Sequence, residues 1–276
     1  MEITLDHVQY KYHPGTVNEK TAVRDVSLHI GSREFIALAG STGSGKSTLV
    51  QLINGLKLPA AGSITYDGRT IGNDKKELHK IRCKVGLVFQ YPEYQLFDES
   101  VLKDVSFGPK NKGLSADEAR ESAKAALRDV GLLENLWQKS PFDLSGGEKR
   151  RAAIAGILAM KPEVLILDEP TAGLDPAGKT EILDLIRDYQ KDRQMTVIMV
   201  SHNMDEIAEY AHRVIVMSEG KILMDAEPHE VFRQKEQLDQ ICLSVPQVTE
   251  FCRSIGINGV ITVQEAADEI FSFLSE

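Results

Sequence analysis

The sequence predicts an α/β fold in which helices cover a parallel sheet, and two observations predict it. First, short apolar runs alternate with helical patterns in the second half of the chain. The runs are Val164–Leu167, Thr196–Val200 and Val214–Met217, with helices near 177–192 and 203–211. Such alternation is typical of parallel strands joined by helical crossovers. Second, an apolar strand over Glu34–Ala39 leads through a glycine-rich loop into a helix that runs to Gly55.

The remaining segments predict additions to this core. Two alternating runs within residues 1–30 flank a loop at Pro14–Lys20 and predict antiparallel strands. A strand over Gly62–Gly68 closes with an Asp-Gly turn, and Lys84–Phe89 is another buried strand. From about residue 91 to residue 160 the pattern is mostly helical, with a capping box that starts at Ser115. We therefore expect an antiparallel β subdomain and a helical insertion at about 91–160.

Length and composition limit the classes of protein this chain can represent. Its 276 residues suffice for one large domain and an appendage, and 42% hydrophobic residues can build a substantial core. The net charge of −9 weighs against a nucleic-acid partner, which needs a basic face. The three cysteines form no C-x-x-C pair, so neither a zinc site nor a redox dithiol is indicated, and a reducing compartment fits. No apolar stretch approaches 18 residues, so we expect any membrane role to be peripheral.

The glycine-rich loop has the pattern of a phosphate-binding loop, G-x-x-x-x-G-K-[ST], and so predicts a P-loop NTPase. Its residues are Gly40, Ser41, Thr42, Gly43, Ser44, Gly45, Lys46 and Ser47. Glycines let the backbone N–H groups and the helix N-terminus approach an anion closely. We expect Lys46 to reach the β- and γ-phosphates, Ser47 to ligate Mg²⁺ and Thr48 to bond the α-phosphate. The alternative, a turn that binds no ligand, lacks an explanation for the strand–loop–helix context.

Two carboxylates end a later apolar strand. Asp168 and Glu169 follow Val164–Leu167, and ligands of parallel sheets lie at the carboxyl ends of the strands. We expect Asp168 to hold Mg²⁺, directly or through water, opposite Ser47. Glu169 is the candidate general base that polarises the attacking water. The alternative is a pair of surface carboxylates at the end of a strand.

A second anion-binding device lies about 100 residues after the first. Ser145, Gly146 and Gly147 precede a helical run from Lys149 to Met160, and a helix N-terminus of this kind attracts anions. Two such devices in one chain suggest a shared site, built from the loop of one chain and the serine-glycine turn of another. The alternative is that Ser145 is an ordinary helix N-cap.

The order of these motifs resembles that of the ATPase subunits of ABC transporters, over residues 1 to about 228. The resemblance rests on the phosphate loop, Gln90, the run Leu144–Glu148, the run Leu165–Glu169, Asp175 and the pair Ser201-His202. It implies that Tyr12 stacks on adenine, although the neighbouring Tyr10 could take that role. It also implies that Gln90 contacts Mg²⁺ and water, Asp175 crosses a dimer interface and His202 bonds the γ-phosphate. Glu148 stands where glutamine is commoner in the family.

A narrower resemblance is to the energy-coupling factor (ECF) branch of this family, and to the second of its two ATPase subunits. The segments that carry it are Val88–Phe97, Arg150–Met160, Pro170–Pro176 and the insertion Pro14–Lys20. The branch imports vitamins and trace-metal ions in prokaryotes. The resemblance implies Mg-ATP as cofactor, a second ATPase, a transmembrane coupling subunit, an exchangeable substrate-binding membrane subunit, and a peripheral position at the cytoplasmic face of the membrane. An ATPase of an ordinary binding-protein-dependent importer, or a soluble ABC ATPase, remains the alternative.

Two further segments have predicted roles. The aromatic and apolar residues of Pro92–Phe97 could form a groove for a helix of a membrane partner, or could pack inside the insertion. We assign residues 1–228 to the ATPase domain and residues 229–276 to a C-terminal helical extension that serves dimerisation or docks on its own core. Capping-box patterns that begin at Ser244 and Thr262 predict the starts of its two amphipathic helices. Trp137 is predicted to pack rather than bind.

Overall fold

The computed structural model describes residues 1–275, with side chains through Ser272; the last residue of the predicted extension, Glu276, lies outside the described residues. The strands are β1 (Ile3–Tyr12), β2 (Lys20–Ile30), β3 (Phe35–Gly40), β4 (Ala61–Tyr66), β5 (Arg69–Thr70), β6 (Val85–Val88), β7 (Val164–Asp168), β8 (Thr196–Val200), β9 (Arg213–Ser218) and β10 (Lys221–Ala226).

Eleven α-helices are present among the described residues. They are α1 (Lys46–Ile53), α2 (Lys75–Lys84), α3 (Val101–Asn111), α4 (Ala116–Asp129), α5 (Gly146–Leu158), α6 (Pro176–Arg193), α7 (Met204–Tyr210), α8 (Pro228–Arg233), α9 (Lys235–Gln240), α10 (Gln247–Ser254) and α11 (Val263–Ser275). Short 3-10 turns lie at Pro92–Gln95, Glu134–Leu136 and Pro141–Asp143. No helix in this described part of the chain is both long and apolar enough to cross a membrane.

The strands form two sheets, as the sequence predicts. The larger sheet has the order β10-β9-β3-β8-β7-β6, and its strands are parallel apart from β10, which pairs antiparallel with β9. Its central strands read as continuous apolar runs because both faces are covered, one by helices and the other by α1 together with the antiparallel sheet. The smaller antiparallel sheet, β2-β1-β4-β5, includes the predicted Asp-Gly turn, in which Asp67 and Gly68 both have positive φ. The predicted α/β fold with an antiparallel subdomain is confirmed.

The register of the larger sheet gathers several loops at one edge. Leu38 of β3 and Asp168 of β7 both pair with Val200 of β8, and Leu167 pairs with Val88 of β6. The carboxyl ends of these four strands therefore lie side by side. The loops that follow them start at Ser41, Phe89, Glu169 and Ser201. This alignment brings residues more than 150 positions apart in the sequence into one region.

The helical insertion packs as one layer beside this edge. Helices α3, α4 and α5 contact one another, and the Ser115 capping box is present as predicted. Trp137 is buried, and its Nε1 donates to the Leu132 carbonyl at 2.9 Å. The predicted packing role of Trp137 is confirmed.

The C-terminal extension has two parts. Val231, Phe232, Leu238, Leu243 and Val245 join the main hydrophobic core. Helices α10 and α11 share a small cluster of their own, made by Cys252, Val260 and Ala266.

Only one of the two predicted capping boxes in the extension forms. Thr262 and Glu265 make the predicted box at the start of α11. The box predicted at Ser244 is wrong, because α10 begins at Gln247 with Pro246 as its N-cap and no side-chain cap. Proline at this position fixes φ and starts the helix later than the pattern indicates.

Candidate functional site

The phosphate-loop sequence lies between the fully buried strand β3 and helix α1, at the carboxyl edge of the sheet. Two of its glycines are required by close backbone contacts. A Cβ on Gly40 would lie 2.4 Å from the Met217 carbonyl oxygen, and one on Gly45 would lie 2.4 Å from the Ala22 carbonyl oxygen. Both glycines also have a φ that side-chain-bearing residues rarely adopt, +150° and +108°. The tight loop therefore depends on glycine at both ends.

Lys46 is buried within this loop. Its Nζ donates to the carbonyl oxygens of Gly40 at 2.7 Å and Ser41 at 3.1 Å. Burial lowers the pKa of Lys46, and the nearby Glu169 and Asp168 oppose that shift. A buried ammonium that must be compensated by anionic oxygens suits a polyphosphate ligand.

Ser44 supplies an independent test of fit to a phosphate ligand. Its Oγ is the one buried side-chain polar atom of the described chain without a hydrogen-bond partner. Buried hydroxyls are almost always paired. An unpaired hydroxyl inside a glycine-rich loop at a helix N-terminus fits a loop that binds phosphate oxygens.

Asp168 ends strand β7 beside the phosphate loop. Burial raises the pKa of Asp168, while a hydrogen bond from Ser47 and the charge of Lys46 act in the opposite direction. No cluster of three or more His, Cys, Asp or Glu suited to a metal occurs within residues 1–275. Magnesium at nucleotide sites usually takes one or two protein oxygens, with phosphates and water completing its shell. The Ser47 hydroxyl and the Asp168 carboxylate fit that requirement.

Glu169 is held at both carboxylate oxygens. Gln90 Nε2 donates to Oε2 at 3.0 Å, and His202 Nδ1 lies 3.1 Å from Oε1. Glu169 itself has a left-handed φ of 50°, and its side chain is about one-quarter exposed. The three side chains come from loops after three different strands, so no local sequence pattern links them.

These groups line one cleft of about 750 Å³. Besides the residues predicted from sequence, its walls include Met204, Cys242, Leu243 and Ser244. Sequence reasoning missed the last three because they lie in the extension, which has no chemical motif. The sequence pattern at Ser244 predicts a helix cap, whereas in the structure Ser244 caps no helix and lines the cleft.

Tyr12 lies beside the first turn of helix α1, next to the phosphate loop. Its hydroxyl is 3.0 Å from the Thr48 hydroxyl, and its ring packs edge-on against Tyr10 with centroids 5.1 Å apart. Lys57 Nζ lies 4.8 Å from the Tyr12 centroid. Of the two tyrosines, Tyr12 is therefore the one tied to the nucleotide-loop helix. The Thr48 hydroxyl, predicted to bond the α-phosphate, is hydrogen-bonded to the Tyr12 hydroxyl in this structure.

The second predicted anion site lies apart from this cleft. Ser145 caps helix α5 in a complete capping box: its Oγ and backbone N–H donate to Glu148 Oε2 at 2.7 and 2.8 Å, and it accepts from the Glu148 N–H. The hydrogen bond from the Ser145 hydroxyl lowers the pKa of Glu148. A Cβ on Gly146 or Gly147 would meet no atom within 4 Å, so open space adjoins both glycines. Ser145 thus is an N-cap within this chain, while its turn is open to an external ligand.

Asp175 is also a helix cap. Its Oδ1 accepts from the Gly178 N–H at 2.8 Å at the start of α6. It does not line the cleft of Lys46 and Glu169. The single chain therefore brings together two groups of predicted residues, the phosphate loop and the residues around Glu169. Ser145, Gly146, Gly147 and Asp175 lie outside that cleft. Among the residues predicted near the phosphate loop, Tyr12, Ser44, Gly45 and Thr48 do not line it either.

Comparison with known families and structures agrees with this geometry. The family model described as ABC transporter matches residues 23–172. A structure described as cbiO1 from Clostridium perfringens, part of the ABC transporter complex cbiONQ, superposes with a TM-score of 0.76 at 41% identity, over 87% of this chain and 93% of that chain. The dimeric ATP-binding cassette MJ0796 bound to ADP and Pi superposes with a TM-score of 0.73 at 30% identity, over 82% of this chain and 98% of that chain.

Curated relatives match almost the entire chain. The energy-coupling factor transporter ATP-binding protein EcfA2 of Caldanaerobacter subterraneus is 50% identical over 280 residues, which cover 99% of this chain and 98% of the relative. The EcfA2 protein of Clostridium perfringens is 48% identical over 281 residues, 99% of each chain.

Proposed function

This chain belongs to the ABC transporter family, among the energy-coupling factor transporter ATP-binding proteins, and from this premise we propose how it couples Mg-ATP hydrolysis to import. It is an ATPase subunit whose hydrolysis of ATP is coupled to transport. Our proposal concerns the finer points: two composite nucleotide sites, membrane partners at the cytoplasmic face of a prokaryotic cell, and a vitamin or trace-metal ion as cargo.

The observation that carries the proposal is the convergence at the sheet edge. Lys46, Asp168 and Glu169 lie in one cleft, and Gln90 and His202 hold Glu169 from two sides. In the proposed role Lys46 exchanges its loop carbonyls for the β- and γ-phosphate oxygens. The loop N–H groups and the N-terminus of α1 bind the remaining phosphate charge. Tyr12 stacks on the base.

Chemistry in this site is mostly orientation and charge stabilisation. Ser47 and Asp168 would hold Mg²⁺, which would neutralise charge that develops on the phosphates. Glu169 accepts a hydrogen bond from the attacking water and draws its proton. Gln90 and His202 fix the direction of the Glu169 carboxylate, and His202, about two-thirds exposed, is free to bond the γ-phosphate.

The second half of each site would come from another ATPase chain. Ser145, Gly146 and Gly147 face open space rather than the cleft of their own chain. The dimeric cassette related to this chain was described with ADP and Pi bound. We propose that two ATPase subunits, this chain and a related one, pair head to tail so that each serine-glycine turn completes the other chain's phosphate loop. Asp175 lies at the interface between them.

The membrane side of the proposal rests on exposed aromatic residues. Tyr94 and Phe97 are 84% and 59% exposed, and Phe107 packs edge-on against Phe97 with centroids 5.1 Å apart. Pro92 and Leu96 point inward and anchor the segment. We propose that this surface receives a helix of the transmembrane coupling subunit, which carries an exchangeable substrate-binding membrane subunit.

Replacement of Glu169 tests the catalytic part of the proposal. Glu169→Gln keeps the size of the side chain and its contact with His202 but removes the base, so the variant should bind ATP and lose about 100-fold or more of its turnover. The control is Glu163→Gln, since Glu163 lies just before the opposite end of β7 and pairs with Lys84 at 2.7 Å on the surface. Steady-state ATP hydrolysis and nucleotide binding, measured on both variants, check the prediction. Near-normal turnover of Glu169→Gln would remove Glu169 as the base.

A further inference from the structure

A buried arginine joins the aromatic segment of residues 91–97 to the backbone that follows Glu169, which we call the catalytic loop. Arg150 lies on α5, one turn after Ser145, with only 3% of its side chain exposed. A buried charge is stable only when its donors are paired. The identity of its partners therefore indicates which parts of the fold it holds together.

The first partner is Glu93, in the 3-10 turn of the aromatic segment. Arg150 Nε and Nη2 donate to the two Glu93 oxygens at 3.2 and 3.0 Å in a bidentate pair. The Glu93 side chain is 17% exposed, while its neighbour Tyr94 points to solvent. The ion pair thus fixes the inner side of the same segment whose outer side carries the proposed docking surface.

The second partner is the backbone that follows Glu169. Arg150 Nη1 donates to the carbonyl oxygens of Pro170 at 3.0 Å and Ala172 at 2.9 Å. Four of the five N–H groups of the guanidinium are then in use. One planar guanidinium group therefore binds the aromatic segment of residues 91–97 through Nε and Nη2, and the catalytic loop through Nη1.

Further hydrogen bonds link the catalytic loop to the loop that carries His202. Thr171, between the two carbonyls, donates to the buried Glu206 carboxylate at 2.9 and 3.0 Å. Glu206 also accepts from the Ser201 hydroxyl at 3.1 Å, and Ser201 precedes His202. Glu206 lies at 7% exposure. Buried polar groups therefore form an unbroken series from Glu93 to the residues on both sides of Glu169.

From this arrangement we infer that Arg150 is a positioning residue that couples the state of the catalytic loop to the surface of residues 91–97. The guanidinium is rigid, and its fork can hold Glu93 and the two carbonyls together only in one relative arrangement of the two segments. A shift of the Glu169 loop on nucleotide binding consequently moves Glu93, and with it the exposed aromatics. The inference rests on the proposed function, in which that surface meets the membrane partner.

The test reads the surface directly. A fluorophore on Gln95→Cys, an exposed position of the segment, reports its surroundings in the full chain, with the exposed Cys242 changed to Ser. The probe ligand is the Mg complex of a non-hydrolysable ATP analogue. In the parent chain the emission should change on titration, and in Arg150→Lys most of that change at saturation should be lost. Arg150 does not line the phosphate-loop cleft, so Arg150→Lys should still reach saturation with the analogue.

A matched control lies on the same helix. Arg151 donates to the Val130 carbonyl and to Glu181 and contacts neither segment, so Arg151→Lys should keep the full amplitude. Full amplitude in Arg150→Lys, or no change in the parent chain, would overturn the inference. These results are independent of whether membrane subunits co-purify, so failure of the transport proposal is separately visible.

A second variant covers the case in which Arg150→Lys does not fold. Glu93→Gln keeps the shape of the acceptor and removes its charge at a position nearer the surface, and it should lower the amplitude in the same way. Full amplitude in that variant would also overturn the inference. Because both changes break one contact, the double variant should lose no more than the larger single loss, and additive losses would contradict a shared pathway.

Discussion

Single residues in this molecule act through hydrogen bonds that the rest of the fold must align. Ser145 shows this most clearly, since its hydroxyl donates to Glu148 within the chain, while the proposed dimer needs the same hydroxyl to face a partner's phosphate. Glu148 lies where the family more often has glutamine, and its lowered pKa keeps a negative charge beside that site. Glu148 is therefore a candidate for a residue that limits pairing of the two ATPases.

We predict that Glu148→Gln strengthens ATP-dependent association. Glutamine can keep the capping box, but its neutral oxygen holds the Ser145 hydroxyl less tightly than a carboxylate does. The removal of one exposed charge near a triphosphate should lower the ATP concentration needed for pairing by about 2- to 5-fold. Size-exclusion chromatography across an ATP titration, in a Glu169→Gln background that preserves bound ATP, measures this.

The chain contains a matched control for that prediction. Ser115 and Glu118 form a capping box of nearly the same geometry at the start of α4, with hydroxyl-to-carboxylate and N–H-to-hydroxyl distances of 2.6 and 3.4 Å. Glu118→Gln should leave the ATP requirement unchanged. Equal behaviour of the two variants would show that Glu148 acts only as a helix cap.

At this scale the sequence predicts chemistry but not the support behind it. Lys46 and Glu169 lie in local patterns that require a strand, a loop and a helix around them. Glu93, Arg150 and Glu206 were missed, because the contacts that link them to other segments span long stretches of sequence, 57 residues for Arg150 with Glu93 and 35 for Glu206 with Thr171. One signal was present: Arg150 shares a helical face with Ile154 and Leu158, where an apolar residue is expected.

At the level of secondary-structure elements, packing against the core decides which side chains of residues 91–97 are exposed. Some side chains of residues 91–97 point into the core and others into solvent. No regular alternation of apolar and polar residues in the sequence predicts which ones do. Tyr91 has a left-handed φ of 54° and turns the chain from the strand into the 3-10 turn. Tyr94, Phe97 and Phe107 are exposed as a result, and the rings of Phe97 and Phe107 are in contact.

We predict that Phe97→Ala weakens attachment to the membrane partner. Buried aromatic anchors dominate interfaces of this kind, so the affinity should fall roughly 10-fold or more. The control is Leu133→Ala, at a position that is 67% exposed and lies after α4. Recovery of the transmembrane subunit with each variant, after gentle solubilisation, provides the measurement. Unchanged recovery with Phe97→Ala would exclude this surface.

The C-terminal extension needs a sharper test than removal. A cut after residue 228 would delete Phe232 and Leu238 from the main core, and loss of a single buried phenylalanine side chain costs about 3–5 kcal/mol. Any loss of pairing would then be confounded with unfolding. Exposed positions on α10 avoid this problem.

We predict that Phe251→Ser combined with Ile255→Ser weakens pairing without ATP about 10-fold. The two residues are 58% and 52% exposed and lie one turn apart, so together they form an apolar stripe. Leu223→Ser, on the edge strand β10 at 48% exposure, serves as the control. Sedimentation velocity measures the association. If the α10 variant pairs as the parent does, the extension serves its own core only.

The boundaries of elements were the least predictable feature at this scale. Strands and long helices follow from apolar periodicity, but α10 starts after Pro246 rather than at the Ser244 pattern. A capping pattern in the sequence indicates that these side chains could cap a helix, but not that a helix begins there. Pro246 and tertiary packing together account for this start, because proline disfavours a helical conformation at Val245 and residues 243–245 lie against the main core and the cleft.

Under the proposed function, the whole molecule supplies one half of each of two nucleotide sites. Its cleft gathers the groups that bind phosphate and orient water, while its serine-glycine turn points away from that cleft. Under the proposed function, such a division would make hydrolysis depend on a second ATPase, and closure of the pair would perform work on membrane subunits. The acidic net charge of −9 agrees with protein partners rather than nucleic acid.

The most direct test of this account is gentle solubilisation of native membranes, purification through this chain, and mass spectrometry of the proteins that accompany it. The account predicts a second ATPase, one transmembrane coupling subunit and a variable set of small substrate-binding membrane proteins. Recovery with a two-domain permease, or from the soluble fraction with ribosomal or DNA-associated proteins, would contradict it.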